Sequence, residues 1–230
     1  MRILKKTEIK SLAARSMIQV LGEARVTRQL LKRNYRYYQK TRAIFIHVPK
    51  VAGTTIASAL YGKTLGHFRA RELCVYDPQT FHDLFVFAFL RDPVERARSS
   101  YNYARSGGTA QGMVAYRKEY SGAMFSDFET FATQWLPRQS VDSVDLIFQP
   151  QSDFLLNKDG ELLANKVYCL ERIEDAWKDV SKNCAPIHAQ LKNKNVNSNS
   201  TLAHKPLCAE ARQALEKYYR KDLELWDTLS

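Results

Sequence analysis

The chain is poor in cysteine, and its cysteines form no metal-binding pattern. There is no C-x-x-C pair and no histidine at the spacing of a zinc site. We therefore expect no metal and interpret the thiols as buried and structural. A disulfide between Cys184 and Cys208 would need an oxidising compartment, which nothing in the sequence indicates. The four residues are Cys74, Cys169, Cys184 and Cys208.

Long apolar runs are also absent. None approaches the ~20 residues that cross a bilayer, and the N-terminus lacks the apolar core and cleavage site of a signal peptide. We therefore expect a soluble, cytoplasmic protein. Its 230 residues, 45% of them hydrophobic and 11% aromatic, suffice for one globular domain with its own core.

Acidic residues are scarce near the N-terminus. Residues 1–42 hold 12 Lys or Arg but only two Glu, whereas the rest of the chain has 23 basic and 22 acidic side chains. We therefore divide the chain into a basic helical arm, residues 1–42, and a domain, residues 43–230. The arm could contact the inner membrane surface or another polyanion, or present a solvated basic face. We expect no nucleic acid partner.

Strand-like and helix-like segments alternate after residue 42. Apolar runs at 43–48, 85–90 and 166–170 predict buried strands, with 43–48 central in the sheet. This alternation predicts a P-loop-like, three-layer α/β fold with a central, mainly parallel sheet flanked by helices. Ligands of such folds bind at the carboxyl ends of the strands. The expected helices cover residues 54–61, 67–76, 93–105, 126–135, 173–183 and 209–229.

The first strand leads into the segment IFIHVPKVAGTT, residues 44–55. Gly53 allows a phosphate to approach the backbone closely, and Lys50 adds a mobile positive charge. The hydroxyls of Thr54 and Thr55 add neutral donors. The lysine precedes the glycine, unlike in the Walker loop. Taken alone, the segment also fits an ordinary strand-to-helix turn.

A second phosphate site is predicted in the segment FLRDPVERARS, residues 89–99. Arg91 lies in the turn after the second strand, and Ser99 follows in the next helix. An arginine fork with a serine hydroxyl suits a terminal phosphate monoester. Of Arg96 and Arg98, we expect one to reach the ligand or a carboxylate and the other to be solvated.

Together, the two segments resemble the cofactor-binding segments of sulfotransferases, which use 3′-phosphoadenosine 5′-phosphosulfate (PAPS). Later patterns resemble the carbohydrate-type, heparan- and chondroitin-like sulfotransferases of the Golgi: QPQSDFL with DGE, YCLERIED, NVNS and YYRKDLELW. The resemblance covers about residues 43–230. Because the membrane anchor of the Golgi members is absent, we expect either a bacterial cytosolic member or a fragment, and we favour the former.

The resemblance implies a role for each residue already singled out. It implies in-line transfer of a sulfonyl group to a hydroxyl of a glycan or related acceptor, in which positioning and charge neutralisation supply most of the catalysis. It places the 5′-phosphosulfate on Lys50, Gly53, Thr54 and Thr55, and the 3′-phosphate on Arg91 and Ser99.

Activation of the acceptor requires a general base. His67, in the segment GHFRAREL, lies where this branch of the family has its H-x-x-x-x-E-L motif. An imidazole with a pKa of about 6.5 can take a hydroxyl proton at neutral pH. Glu72 and His82 are alternatives, and His67 could instead cap or pack a helix. Arg69 and Arg71 could bind an anionic acceptor or be solvated.

Two other functions remain open at this stage. A nucleotide-dependent kinase with a divergent P-loop would need a Mg²⁺ site and a Walker-B-like aspartate, and no residue is convincingly placed for that. The third hypothesis is a non-catalytic relative that binds nucleotides or polyanions. Two positions depart from the family pattern: Val51 where Ser or Thr is frequent, and Asn195 where a His is expected.

Overall fold

The computed structural model describes residues 23–108, 118–141, 143–185, 191 and 206–229. Its ten α-helices within these ranges bury two groups of apolar side chains, one against a sheet and one beneath the fifth helix. They are α1 (Glu23–Thr41), α2 (Gly53–Tyr61), α3 (Ala70–Tyr76), α4 (Pro78–Asp83), α5 (Pro93–Arg105), α6 (Phe128–Thr130), α7 (Ser152–Leu155), α8 (Ile173–Asn183), α9 (Ala209–Tyr218) and α10 (Arg220–Asp227).

The strands form one parallel sheet in the order β1-β2-β3. They are β1 (Ala43–Ile46), β2 (Phe85–Leu90) and β3 (Lys166–Cys169). The expectation of a parallel sheet flanked by helices is confirmed. The expectation that β1 is the central strand was wrong. In the described sheet β2 is central, because it pairs with both β1 and β3. β1 is completely buried all the same, since helices cover it, and burial alone does not distinguish a central strand.

Helix α1 packs on the sheet through one apolar stripe. Leu31, Tyr35 and Tyr38 are all at most 5% exposed, and the hydroxyl of Tyr35 donates to the backbone carbonyl of Leu73 on α3. Residues 23–41 are thus part of the core that contains β1. Residues 1–22 of the basic arm and Asn195 lie outside the described residues.

Two expected helices are interrupted. In place of a helix over 126–135, Asp127 caps the short α6 through the amide of Thr130, and a π-helical turn covers Phe131–Trp135. In place of one over 209–229, α9 ends before Tyr219, whose buried hydroxyl donates to the carbonyl of Phe148. This long-range contact, which local periodicity does not reveal, turns the chain from α9 into α10.

The cysteines are less buried than expected. Cys74, Cys169 and Cys184 are partly exposed and Cys208 is exposed, and all four are free thiols. Among the described helices, none is long and apolar enough to span a membrane.

Candidate active site

The loop between β1 and α2 has a strained backbone. Lys50 and Ala52 adopt φ angles of 70° and 56°, in the left-handed region that costs a non-glycine residue ~1–2 kcal/mol. The amide of Thr55 is bonded to the carbonyl of Ala52 at 3.0 Å. The preceding amides at the N-terminus of α2 make no such bond within the described chain. The loop therefore presents backbone donors at the positive end of a nine-residue helix.

Gly53 is required by the side chain beneath it. A Cβ at this position would lie 1.9 Å from Cδ2 and 2.0 Å from Nε2 of His47. His47 is only 8% exposed, and burial, together with nearby His67, lowers its pKa to about 3. The neutral imidazole of His47 therefore lies directly beneath the start of α2, and it leaves room only for glycine at position 53. The contacts of His47 with Gly53 and His67 follow from the fold and not from the local sequence.

His67 lies beside the His47 ring, in the loop before α3 rather than in a helix. Its Nδ1 is 2.8 Å from the backbone carbonyl oxygen of His47, and the two rings are 4.0 Å apart. Because a carbonyl only accepts, Nδ1 carries the proton and Nε2 keeps a free lone pair. His67 is exposed, yet neighbouring protein atoms displace water from the ring and lower its pKa below the usual value.

Lys50 links the first segment to the second. Its Nζ lies 3.9 Å from the centroid of the Tyr103 ring, and Tyr103 is one helical turn beyond Ser99 on α5. Burial, followed by the charge of Arg91, lowers the pKa of Lys50 to about 8. The lysine forms no ion pair with a carboxylate of the described residues. The fold therefore brings Lys50 close enough to Arg91 for their charges to interact, and places its ammonium group against Tyr103, one helical turn along α5 from Ser99.

Arg91 is held by a buried polar chain. The side chain of Gln151 accepts from the amide of Arg91 at 3.2 Å and donates to its carbonyl at 2.8 Å. The amides of Gln151 and Ser152 donate in turn to the two oxygens of Asp222, at 2.7 and 2.8 Å. Gln151 and Asp222 are both fully buried. Both belong to motifs singled out in the sequence, but no role could be assigned to them there.

The two other arginines of α5 have structural contacts. Arg98 lies 3.8 Å from Glu95 and 4.3 Å from the Phe128 ring, so one arginine reaches a carboxylate as expected. The expectation that the other is solvated was wrong. Arg96 is fully buried and donates to the carbonyls of Ile147 and Gln149 at 3.1 and 2.8 Å.

The remaining candidates near His67 have partners elsewhere. Glu72 accepts from the amide of Arg69 at 2.8 Å and so begins α3 at Ala70, three residues later than expected. The Arg69 guanidinium donates to the side-chain oxygen of Gln149 at 2.6 Å. His82 lies 3.8 Å from the sulfur of Cys74. Among the candidate bases, His67 is thus the one that contacts His47, the residue beneath the start of α2.

The fold and these contacts define an α/β protein in which the loop between β1 and α2, with Lys50 and Gly53, lies close to the basic turn that carries Arg91. Residues 33–227 match the family model described as "Sulfotransferase family". The chain therefore belongs to the sulfotransferase family, an enzyme family that transfers sulfonyl groups, and the motif-based prediction of this class is confirmed. Comparison with curated proteins and with solved structures gives no match.

Proposed function

We propose that the protein is a PAPS-dependent sulfotransferase that acts on a hydroxyl of a glycan or a related acceptor. The observation that carries this proposal is the position of Lys50, a half-buried ammonium group without a carboxylate partner among the described residues, which lies against Tyr103 and close to Arg91. The charge of Lys50 is held near that of Arg91, whose carboxylate partner Glu95 lies 3.7 Å away, so a bound anion would neutralise the charge of Lys50 that no carboxylate offsets.

The residues fit the two anionic ends of PAPS. The 5′-phosphosulfate would be held by Lys50 and by the backbone amides at the start of α2, which Gly53 allows to lie directly on the His47 ring. The hydroxyls of Thr54 and Thr55 would add donors. The 3′-phosphate would be held by Arg91 and Ser99, on the turn and helix that follow β2. When bound, PAPS supplies the sulfonyl group and a phosphate leaving group.

The chain's own residues provide the rest of the chemistry. Lys50 neutralises the negative charge that develops on the leaving oxygen, a role that its fixed place in a partly desolvated site strengthens. His67 takes the proton of the acceptor hydroxyl at Nε2, because Nδ1 is committed to the His47 carbonyl. The acceptor therefore enters from the exposed side of His67.

Removal of the Arg91 side chain should weaken binding of 3′-phosphoadenosine 5′-phosphate (PAP), the desulfated product. Loss of a bidentate, charge-assisted contact predicts about 30–100-fold lower affinity for Arg91→Ala. Isothermal titration calorimetry with wild type and variant measures this. Arg98→Ala is the matched control, because Arg98, like Arg91, lies near Glu95 but otherwise packs on the Phe128 ring. The PAP affinity of this variant should change less than about threefold. Absence of PAP binding to the wild type would refute the cofactor assignment.

Replacement of the base should slow the chemical step and spare cofactor binding. His67→Asn keeps a donor for the His47 carbonyl but lacks the basic lone pair, so kcat should fall about 10²-fold with unchanged PAP affinity. In the wild type, activity should be lost as the pH falls through the His67 pKa, which lies below 6.5. A transfer assay across pH tests both points, with His82→Asn as the control. Full activity in His67→Asn would eliminate this base.

A further inference from the structure

One short segment of the chain contacts both halves of the proposed site. It has the sequence QPQSD, covers residues 149–153 and leads into the short helix α7. Gln149 and Gln151 are only 5% and 0% exposed. Buried amide side chains require hydrogen-bond partners, and the partners of these two lie in different parts of the site. We call residues 149–153 the bridging segment.

The outer side chains of the bridging segment hold Arg69. Oε1 of Gln149 accepts from Nη2 of Arg69 at 2.6 Å, and Oδ2 of Asp153 accepts from its Nε at 3.3 Å. The guanidinium also lies 5.5 Å from the centroid of the Phe154 ring. Arg69 is the last residue of the loop that joins α2 to α3, two positions after His67. The bridging segment therefore fixes one end of the loop that carries the proposed base.

The same loop is fixed at two points before Arg69. The side chain of Asn34 on α1 donates to the carbonyl of Leu65 at 2.7 Å, and His67 is bonded to the carbonyl of His47. The contacts of Arg69 are charge-assisted, which makes them stronger than these neutral ones. Their loss would free the chain on one side of the imidazole, so that its position relative to an acceptor hydroxyl would vary.

The middle side chain of the bridging segment holds the turn of Arg91 instead. Gln151 lies between Gln149 and Asp153 in sequence. Its side chain accepts from the amide of Arg91 and donates to its carbonyl, at 3.2 and 2.8 Å. Side chains that alternate along five residues therefore hold two separate parts of the site.

The backbone of the bridging segment is itself held by buried charged groups. The carbonyl of Gln149 accepts from the fully buried Arg96 at 2.8 Å, and the amide of Gln151 donates to Asp222 at 2.7 Å. Hydrogen bonds to charged groups inside a protein are strong and have defined geometry. The segment is thus a well-fixed support for the two side chains that leave it in different directions.

We propose that Gln149 and Gln151 are positioning residues for sulfonyl transfer, each for a different half of the site. Gln149, through Arg69, holds His67 where it can reach the acceptor hydroxyl, and Gln151 holds Arg91 where it can reach the 3′-phosphate. This inference rests on the proposed function, because it takes His67 as the base and Arg91 as the phosphate ligand. It adds that one segment sets the position of the base relative to the cofactor.

Methionine substitutions of the two glutamines test the proposal as a matched pair. Methionine is similar in length, but its thioether accepts only weakly and cannot donate. Gln149→Met should lower kcat about tenfold by misplacing the base, with PAP affinity within about twofold of wild type. Gln151→Met should weaken PAP binding about tenfold, with kcat at saturating PAPS within about threefold of wild type. Steady-state kinetics and calorimetry measure the two effects.

Two further measurements separate positioning from a loss of stability. Gln149→Glu keeps an acceptor for Arg69, so its kcat should return to within about threefold of wild type. The pKa of His67, which burial lowers, should rise towards 6.5 in Gln149→Met, because a loosened loop exposes the ring to water. The same pKa should stay unchanged in Gln151→Met. Titration of the His67 ring by NMR measures this without cofactor or acceptor.

The outcomes distinguish this inference from the proposed function. Parallel losses of kcat and PAP affinity in both methionine variants, or an unchanged His67 pKa in Gln149→Met, would overturn the positioning roles. Failure of the wild type to bind PAP would refute the proposed function, and the NMR titration would still decide whether Gln149 positions His67. If a glutamine variant does not fold, Arg69→Met and Gln151→Asn remove the same two links and carry the same expectations.

Discussion

Replacement of Lys50 by alanine should reduce kcat/KM for sulfonyl transfer about 10³-fold, because it removes the positive charge next to the leaving oxygen. The loss should be mainly in kcat, since the remaining contacts still hold PAPS. Steady-state kinetics with PAPS and an acceptor measures it. Lys158→Ala, which removes an exposed lysine in a turn, is the control and should retain full activity.

The pH dependence gives a second, independent test of Lys50. Its pKa of about 8 means that the free enzyme loses this charge as the pH rises through 8, so kcat/KM should fall on the alkaline side. Lys50→Arg keeps its charge throughout this range, and that alkaline fall should disappear even if the variant is slower. An unchanged alkaline limb in Lys50→Arg would show that another group causes it.

Gly53→Ala should both destabilise the protein and disrupt the anion site. The new Cβ would lie 1.9 Å from the His47 ring, so the ring or the start of α2 must move. Overpacking of this kind predicts a loss of about 3 kcal/mol in the free energy of unfolding, or roughly 6–12 °C in Tm for a protein of this size. Thermal denaturation and PAP titration measure the two effects.

A double-mutant cycle that combines Gly53→Ala with His47→Ala tests the cause. Removing the ring creates space for the new Cβ, so the double variant should be more stable than the sum of the single effects predicts, by about 1–3 kcal/mol. Additive effects would mean that the conflict with His47 does not explain the requirement for glycine. The cycle therefore distinguishes a steric cause from a general intolerance of the loop.

The sequence predicts what depends on neighbouring residues. The observed bounds of β2, α5 and α8 are those expected over residues 85–90, 93–105 and 173–183. Asp92 caps α5 by accepting from the amide of Glu95 at 2.9 Å, a contact between near neighbours in sequence. Lys50 and Arg91 were selected from local motifs, and the fold brings them close enough for their charges to interact. Their assigned roles in cofactor binding stay predictions.

Features that depend on distant residues could not be predicted in the same way. The local sequence does not distinguish Arg96 from a surface residue of an amphipathic helix, but its partners are carbonyls about 50 positions further along the chain. The central place of β2 depends on which strands pair, and apolar composition does not specify that. The hydrogen bond that fixes the tautomer of His67 comes from a backbone carbonyl, which every residue has, so no sequence motif could reveal it.

The dependence of Arg91 on Asp222 has a consequence for synthesis of the protein. Asp222 fixes the amides of Gln151 and Ser152, and Gln151 fixes the backbone of Arg91. In a nascent chain on the ribosome, the turn that carries Arg91 is therefore synthesised long before the residues that complete its hydrogen bonds. The proposed cofactor site is completed only when translation has passed residue 222, and products truncated before it would lack a fixed Arg91.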